Sequence, residues 1–336
     1  MSLRIAVVKG DGIGPEVIPE AQKILEHFLT DADFFEVELG LAKWEKTGSA
    51  CSPDDIRELK GADAIIFGAV TTPPDPNYQS VLLQVRHELD LYANLRPIRS
   101  LRPNPDGSFV DMMIVRENTE GLYSGIEEIG EERSTTLRVV TKAGSRRIAE
   151  KACSLVLKRN RNHPLIIGYK GNVLKSDLLF RDTCSEVASS FGIQTKAVFI
   201  DALCLDVLQH PNNYDVIVTT NMFGDILSDV CGYLTGGLGM LPSANIGEKY
   251  AFFEPVHGSA PDIAGKGIAN PVAAVRSAAM MLEYFGMKEE SCLVEESISS
   301  LISSGISTPD LGGMASTSEF GSRLIAVVCK KEERKI

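Results

Sequence analysis

The stretch Arg4-Ile5-Ala6-Val7-Val8-Lys9-Gly10-Asp11-Gly12-Ile13-Gly14-Pro15-Glu16 decides how this chain begins to fold. The apolar run Ile5 to Val8 is too short for the core of a signal peptide and reads as a buried strand. Glycines directly after it permit a tight turn and close backbone approach, and a helix starting there offers free N–H groups. The spacing is G-x-G-x-G rather than the G-x-G-x-x-G of a Rossmann turn, and Asp11 would face a phosphate. A nucleotide role and a purely structural turn are both open from these residues alone.

Outward from that turn, short β-rich runs alternate with helical patterns. Strands are predicted over 3–8, 35–39, 64–67, 112–115, 165–167, 196–200 and 216–219. Helices are predicted near 16–28, 53–60, 80–89, 145–158, 176–190, 202–208, 223–233, 271–285, 291–304 and 316–328. Such alternation implies an α/β fold with a largely parallel sheet. Ser52-Pro53-Asp54-Asp55 supplies a hydroxyl cap, an early proline and early acids, a clear helix start. The segment 121–138 holds Thr, Ser and Val in strand-like alternation and reads as a surface β-arm; the charged end 330–335 reads as solvated.

At roughly 100–200 residues per domain, 336 residues suggest two domains. The 34 basic and 45 acidic residues leave a net charge of −11, which argues against nucleic acid or an anionic membrane as the main partner. A small anionic substrate is not excluded, because local charge decides that. The seven cysteines are odd in number and show no C-x-x-C spacing, so a zinc site or disulfide framework is poorly supported. The longest uncharged stretch, 230–247, is broken by glycines and Pro242 and makes a poor membrane helix. A cytoplasmic protein with buried free thiols is the expectation.

Candidate chemistry gathers at a few places. In Asn221-Met222-Phe223-Gly224-Asp225-Ile226-Leu227-Ser228-Asp229, the two aspartates are four apart on one helix face. They repel unless something positive lies between them, and a hard divalent cation suits oxygen ligands. Asp201, at a strand end, could add a third oxygen; the bland alternative is that Asp225 caps a turn and Asp229 is solvated. Arg86, Arg96 and Arg116 could fork onto carboxylates, or pair on the surface with Glu88, Asp90 or Glu120. Tyr123 and Lys170 could move protons if nearby charge lowered their pKa values, although each alone is more often structural. The loop Glu254-Pro255-Val256-His257-Gly258-Ser259-Ala260-Pro261-Asp262, running on to Asn270-Pro271, could wrap a nucleotide, with His257 and Asn270 as polar readers.

Taken together, these motifs resemble the β-decarboxylating dehydrogenases that act on 3-isopropylmalate, isocitrate and homoisocitrate. The resemblance runs from Gly10 to about Gly313 on GDGIGPE, ANLRP, VRENTEGLY, YKGNVLK, NMFGDILSD and EPVHGSAPDIAGKGIANP. It implies a non-Rossmann, isopropylmalate dehydrogenase-like fold of two α/β domains, with a β-arm at a homodimer interface. The cofactor-binding domain would span 1–93 and 236–336, and the dimerisation and metal/substrate domain 94–235. The family's active sites are shared, so Lys170 and Asp201 would serve the opposite subunit's cleft, beside Asp225 and Asp229.

The resemblance also implies the reaction. Mg²⁺ or Mn²⁺ at Asp201, Asp225 and Asp229 would chelate the C2 hydroxyl and adjacent carboxylate, and Lys170 would act as base while hydride passes to a nicotinamide. The 2-oxo acid would lose CO₂, and Tyr123 would protonate the enolate carbon. Arg86, Arg96 and Arg116 would hold the substrate carboxylates. Ile13, Glu254, His257, Gly258, Ser259, Ala260, Asp262 and Asn270 would bind the coenzyme. Asp262 favours NAD, since a carboxylate accepts from a ribose 2′-hydroxyl and repels a 2′-phosphate. Substrate choice falls on Ser80-Val81-Leu82-Leu83-Gln84-Val85-Arg86. The apolar cluster, with Leu82 in the isopropylmalate pattern, favours conversion of 3-isopropylmalate to 2-oxoisocaproate, as in leucine biosynthesis. Ser80 matches an isocitrate-enzyme serine, and Gln79 departs from the isopropylmalate pattern, so homoisocitrate and then isocitrate are the alternatives. A silent regulatory paralogue is the non-enzyme alternative; it would be expected to lack some of the proton-transfer or metal residues, all of which are present here.

Overall fold

The structure, a computed structural model, describes residues 2–75, 77–101, 103 and 109–333. The chain forms two compact units: Met1–Leu89 with Gly236–Ala244 and Lys249–Ile336, and Asp90–Thr235 with Asn245–Glu248. Among the described residues no helix is long and apolar enough to cross a membrane.

In the first unit the strand order is Asp33–Glu36, Arg4–Val8, Ala64–Phe67, Ala251–Pro255 and then residues 242–244 of the strand Pro242–Ile246. The pairings of Arg4–Val8 with both of its neighbours, and of Ala64–Phe67 with Ala251–Pro255, are parallel. Parallel strands are covered on both faces, so they need continuous apolar runs. Ile5 to Val8 and Ala64 to Phe67 meet that need, with at most 2% of any side chain exposed. Helices Gly14–Phe28, Val272–Tyr284, Lys288–Ser303 and Thr317–Glu333 belong to this unit. Residues 330–333 of the charged end continue the last helix, whereas 334 and 335 lie outside the described residues. Helix Pro53–Leu59 starts where the sequence signals it, with a capping box between Ser52 and Asp55.

In the second unit the order is Ala93–Arg99, Asp111–Glu117, Val216–Thr219, Leu165–Tyr169, Thr195–Phe199. The first pair is antiparallel and the others are parallel. The last strand is the outer one, which explains its half-exposed pattern. The arm exists as a small antiparallel ladder, Glu127–Glu128 with Thr135–Thr136. Three strands escaped the sequence reading: Ala93–Arg99, Pro242–Ile246 and Ala251–Pro255. The first carries Pro97 and the buried Arg96, and the second carries Ser243 and Asn245, so neither shows an apolar period although Pro242–Ile246 is buried throughout. The short helix Leu41–Thr47 was also missed.

Ligands of α/β sheets gather beyond the carboxyl ends of the strands. In the second unit that edge presents Arg116, Lys170, Asp201 and the helix opening at Asn221. In the first it presents the turn 9–13 and the loop after Pro255.

Candidate active site

Asp225 lies on the exposed side of helix Asn221–Gly232, and its partners come from distant strands. Arg96 Nη2 stands 3.1 Å from Asp225 Oδ1, and Arg116 Nη1 bonds the same oxygen. The Tyr123 hydroxyl donates to Oδ2 at 3.1 Å. Asp229 follows one turn later, 3.5 Å from Arg96 Nη1. Burial pushes the Asp229 carboxyl above its usual range, opposed by Arg96 and reinforced by Asp225. The charge between the two aspartates is therefore guanidinium in this chain. Asp225 does not cap a turn, and Arg116 is no surface ion pair, being 1% exposed.

Both arginines are held in place by buried amides and a hydroxyl. Arg96 Nε donates to Asn94 at 2.8 Å, and its Nη1 donates to Ser228 Oγ at 2.5 Å. Asn94 in turn donates to Asn245 at 2.8 Å, which also accepts from Asn118 at 2.9 Å. Arg116 donates twice to Asn221. Guanidinium forks fixed this way keep a planar face for carboxylate recognition. None of these amides was singled out from the sequence; Asn94, Asn118 and Asn221 lie inside the quoted motifs, which was the available signal.

Lys170 and Asp201 form a separate pair, Nζ to Oδ1 at 2.6 Å, and this contact is what holds the Asp201 carboxyl below its usual pKa. Asp201 sits in the first turn of helix Ile200–Gln209, since the strand ends at Phe199. The Lys170 backbone N–H donates to the fully buried Asp177 at 2.7 Å, and Arg138 from the arm pairs with Asp177 at 2.5 Å. Among the described residues no three His, Cys, Asp or Glu side chains are close enough to hold an ion. Asp201 thus does not join Asp225 and Asp229 within one chain. The donors that do stand together are carboxylate oxygens, the chemistry a hard divalent cation requires.

In the first unit Asp11 faces inward. Its carboxylate accepts from the N–H groups of Leu41 at 2.8 Å, Ala42 at 3.1 Å and Thr71 at 2.9 Å, so it caps a helix and is turned to the backbone rather than toward a ligand. Gly12 has φ +58°, and a Cβ there would stand 1.9 Å from the Ser259 carbonyl oxygen. Ile13 N–H donates to that oxygen at 2.9 Å, which brings Ile13 to the His257–Ala260 loop. Ser259 Oγ accepts from Thr71 at 2.7 Å, and Ala260 adopts φ +41°. Gly258 and Asp262 are exposed.

Burial lowers the His257 pKa, which favours the neutral ring. With Nδ1 3.0 Å from the Gly258 carbonyl oxygen, Nδ1 carries the proton and Nε2 is an acceptor. That Nε2 is buried without a partner among the described residues, as is Arg86 Nε. Buried polar atoms are normally satisfied, so both positions suit a polar ligand such as a nucleotide hydroxyl or amine and a carboxylate. Arg86 Nη2 pairs with Glu254 at 3.1 Å, both being buried. Asn270 donates to Asp310 at 2.8 Å and accepts from Val272 N–H at 3.0 Å, starting a helix. Ser80 caps helix Val81–Glu88 through Leu83 N–H. Val81 is fully buried in the core, so only Leu82 and Leu83 of the apolar cluster are partly accessible.

The same residues place the chain among known proteins. Residues 4–324 match the isocitrate/isopropylmalate dehydrogenase family. A homoisocitrate dehydrogenase of Methanocaldococcus jannaschii is 43% identical over 98% of this chain and 99% of its own. A 3-isopropylmalate dehydrogenase of Archaeoglobus fulgidus is 42% identical over 97% and 99%. The crystal structure of isocitrate dehydrogenase from Methylococcus capsulatus superposes with a TM-score of 0.92 at 37% identity, covering 97% of this chain and 99% of that one. The chain therefore belongs to the isocitrate/isopropylmalate dehydrogenase family, the β-decarboxylating dehydrogenases.

Proposed function

We propose that the chain is an NAD-dependent, metal-requiring dehydrogenase that oxidatively decarboxylates a 3-substituted malate, with 3-isopropylmalate as substrate. The observation that carries this reading is Asp225, whose carboxylate meets Arg96, Arg116 and Tyr123 with Asp229 one turn away. The unit containing residues 1–89 would bind the coenzyme, and the unit containing 90–235 would bind substrate and metal and form a homodimer. The buried free thiols suit a reducing compartment, and we assign the enzyme to the cytoplasm.

Asp225 and Asp229, with Asp201 of the partner subunit, would hold Mg²⁺ or Mn²⁺. When bound, the cation polarises the C2 oxygen and offsets enolate charge, and NAD accepts the hydride. Arg86, Arg96 and Arg116 bind the two malate carboxylates. Lys170 of the partner subunit takes the C2 hydroxyl proton. Tyr123 delivers a proton to the carbon that loses CO₂, from a hydroxyl that Asp225 already orients. Ile13, Glu254, His257, Gly258, Ser259, Ala260 and Asn270 line the coenzyme site, and the exposed Asp262 accepts from the ribose 2′-hydroxyl.

The start of helix Val81–Glu88 supports this choice of substrate. Of its partly accessible side chains there, Ser80, Leu82, Leu83 and Gln84, two are alkyl groups and none is a cation that would pair with a third carboxylate. Arg86, the buried cation further along this helix, is already assigned to the malate carboxylates. Homoisocitrate is the second reading, because the homoisocitrate dehydrogenase is as similar to this chain as the isopropylmalate enzyme, 43% against 42%. Following NADH absorbance with NAD, Mg²⁺ and a panel of isopropylmalate, homoisocitrate, isocitrate, malate and tartrate tests both. The highest kcat/KM is expected with isopropylmalate. An alkyl contact discriminates by only about 1–3 kcal/mol, so a weaker second activity is compatible, whereas a preference for homoisocitrate transfers the assignment. Silence with every acid favours the regulatory paralogue.

A further inference from the structure

Asn221 is fully buried at the first position of helix Asn221–Gly232. Its side-chain oxygen accepts from Arg116 Nε at 3.0 Å and from Nη2 at 2.8 Å. Its amide nitrogen donates to the Glu120 carbonyl oxygen at 3.0 Å. This pattern allows one orientation only. Turned over, the NH₂ would face guanidinium donors and the oxygen would face a carbonyl.

Asn221 thus joins two parts that the chemistry uses separately. One is Arg116, whose remaining nitrogen meets Asp225. The other is the turn that carries Tyr123. Glu117 gathers that turn by accepting from Thr119 N–H at 2.9 Å and Glu120 N–H at 2.8 Å. Gly121 pairs with Val139 across an antiparallel bridge. A Cβ on Gly121, which has φ +81°, would stand 3.3 Å from Asn221 Cβ, so the turn already rests against the asparagine. Aspartate could still receive Arg116 but has no donor for Glu120, and leucine, of similar shape, can do neither.

We propose that Asn221 is a positioning residue that sets the Arg116 guanidinium and the Tyr123 hydroxyl in one register about the Asp225 carboxylate. The inference rests on the function proposed above and adds a residue that acts through others. Displacements of about 1 Å at a reacting centre can cost about 100-fold in rate, so the expected effects are measurable.

The test compares wild type, Asn221→Ala and Gly121→Ala with the preferred acid, NAD and Mg²⁺. In Asn221→Ala, the KM for the acid is expected to rise about tenfold and kcat to fall about tenfold, with the KM for NAD within about twofold. Gly121→Ala strains the turn that carries Tyr123 and leaves Asn221 its polar atoms for Arg116, so kcat is expected to fall about tenfold with the acid KM within about threefold. Folded Asn221→Ala with both constants near wild type overturns the proposal, whatever its melting temperature. A change in KM alone refutes the link to Tyr123. Should Asn221→Ala fail to fold, unchanged constants in Gly121→Ala overturn the proposal. Wild-type enzyme inactive on every malate-type acid overturns the functional reading as well, which separates the two failures.

Discussion

The Tyr123 hydroxyl donates to Asp225 Oδ2 at 3.1 Å, on the carboxylate whose other oxygen takes Arg96 and Arg116. The proposed proton donor and a candidate metal ligand are therefore in direct contact. The Arg116 guanidinium lies 5.5 Å from the Tyr123 ring centre.

Tyr123→Phe keeps the ring by Arg116 and removes only the hydroxyl, with its bond to Asp225. General acid–base groups contribute about 10²–10⁴-fold, so kcat is expected to fall at least about 100-fold with KM little changed. Steady-state kinetics check this. A kcat within a few-fold of wild type removes Tyr123 from the proton-transfer role.

Gly12→Ala tests the first glycine turn as a backbone device. The residue has φ +58° and a Cβ would overlap the Ser259 carbonyl oxygen. The left-handed conformation costs alanine about 1–2 kcal/mol, and displacing the loop adds to it. A drop of several degrees in Tm is expected, with a raised KM for NAD and a smaller change in KM for the acid. An unaltered melt shows that the contact does not hold the loop.

Exposure and pKa decide which thiols react. Burial pushes Cys51 up to about 12, Cys153 up to about 11 and Cys231 up to about 12, and it raises Cys184 further. These groups stay protonated at pH 8, where the thiolate is the reactive form. A disulfide reagent at that pH should label exposed Cys292 first and reach all seven cysteines only on unfolding. Rapid labelling of Cys184 in the native protein contradicts the core packing.

Asp262→Lys replaces an anion that repels a 2′-phosphate with a cation that attracts it. The ratio of kcat/KM for NADP over NAD is expected to rise at least about tenfold, since one charge contact of this kind is worth about 1–2 kcal/mol or more when partly shielded. An unchanged ratio moves coenzyme choice to other residues.

Much of this was legible because local chemistry matches local structure. The 225/229 spacing, the Ser52–Asp55 start and the buried apolar strands are short-range signals, and each appears in the structure. The partners were not legible. Arg96 reaches Asp225 from a strand whose own sequence contains proline and two arginines, and no periodicity announces that pairing. Val81 looked like a substrate contact beside Leu82, yet the helix turns it fully into the core. Asp11 looked exposed to a ligand, yet it satisfies three backbone N–H groups. Asn221 was read as part of a motif, while its partners Arg116 and Glu120 lie about a hundred residues away in sequence. Long-range satisfaction of buried polar groups is the information a single sequence hides.

The most direct measurement of the central claim is product stoichiometry with isopropylmalate, NAD and Mg²⁺, in wild type and in Asp225→Asn. One CO₂ released for each NADH formed, with turnover lost in a metal chelator and in the variant, is the predicted result. NADH without CO₂, or turnover that persists in chelator and in Asp225→Asn, contradicts it.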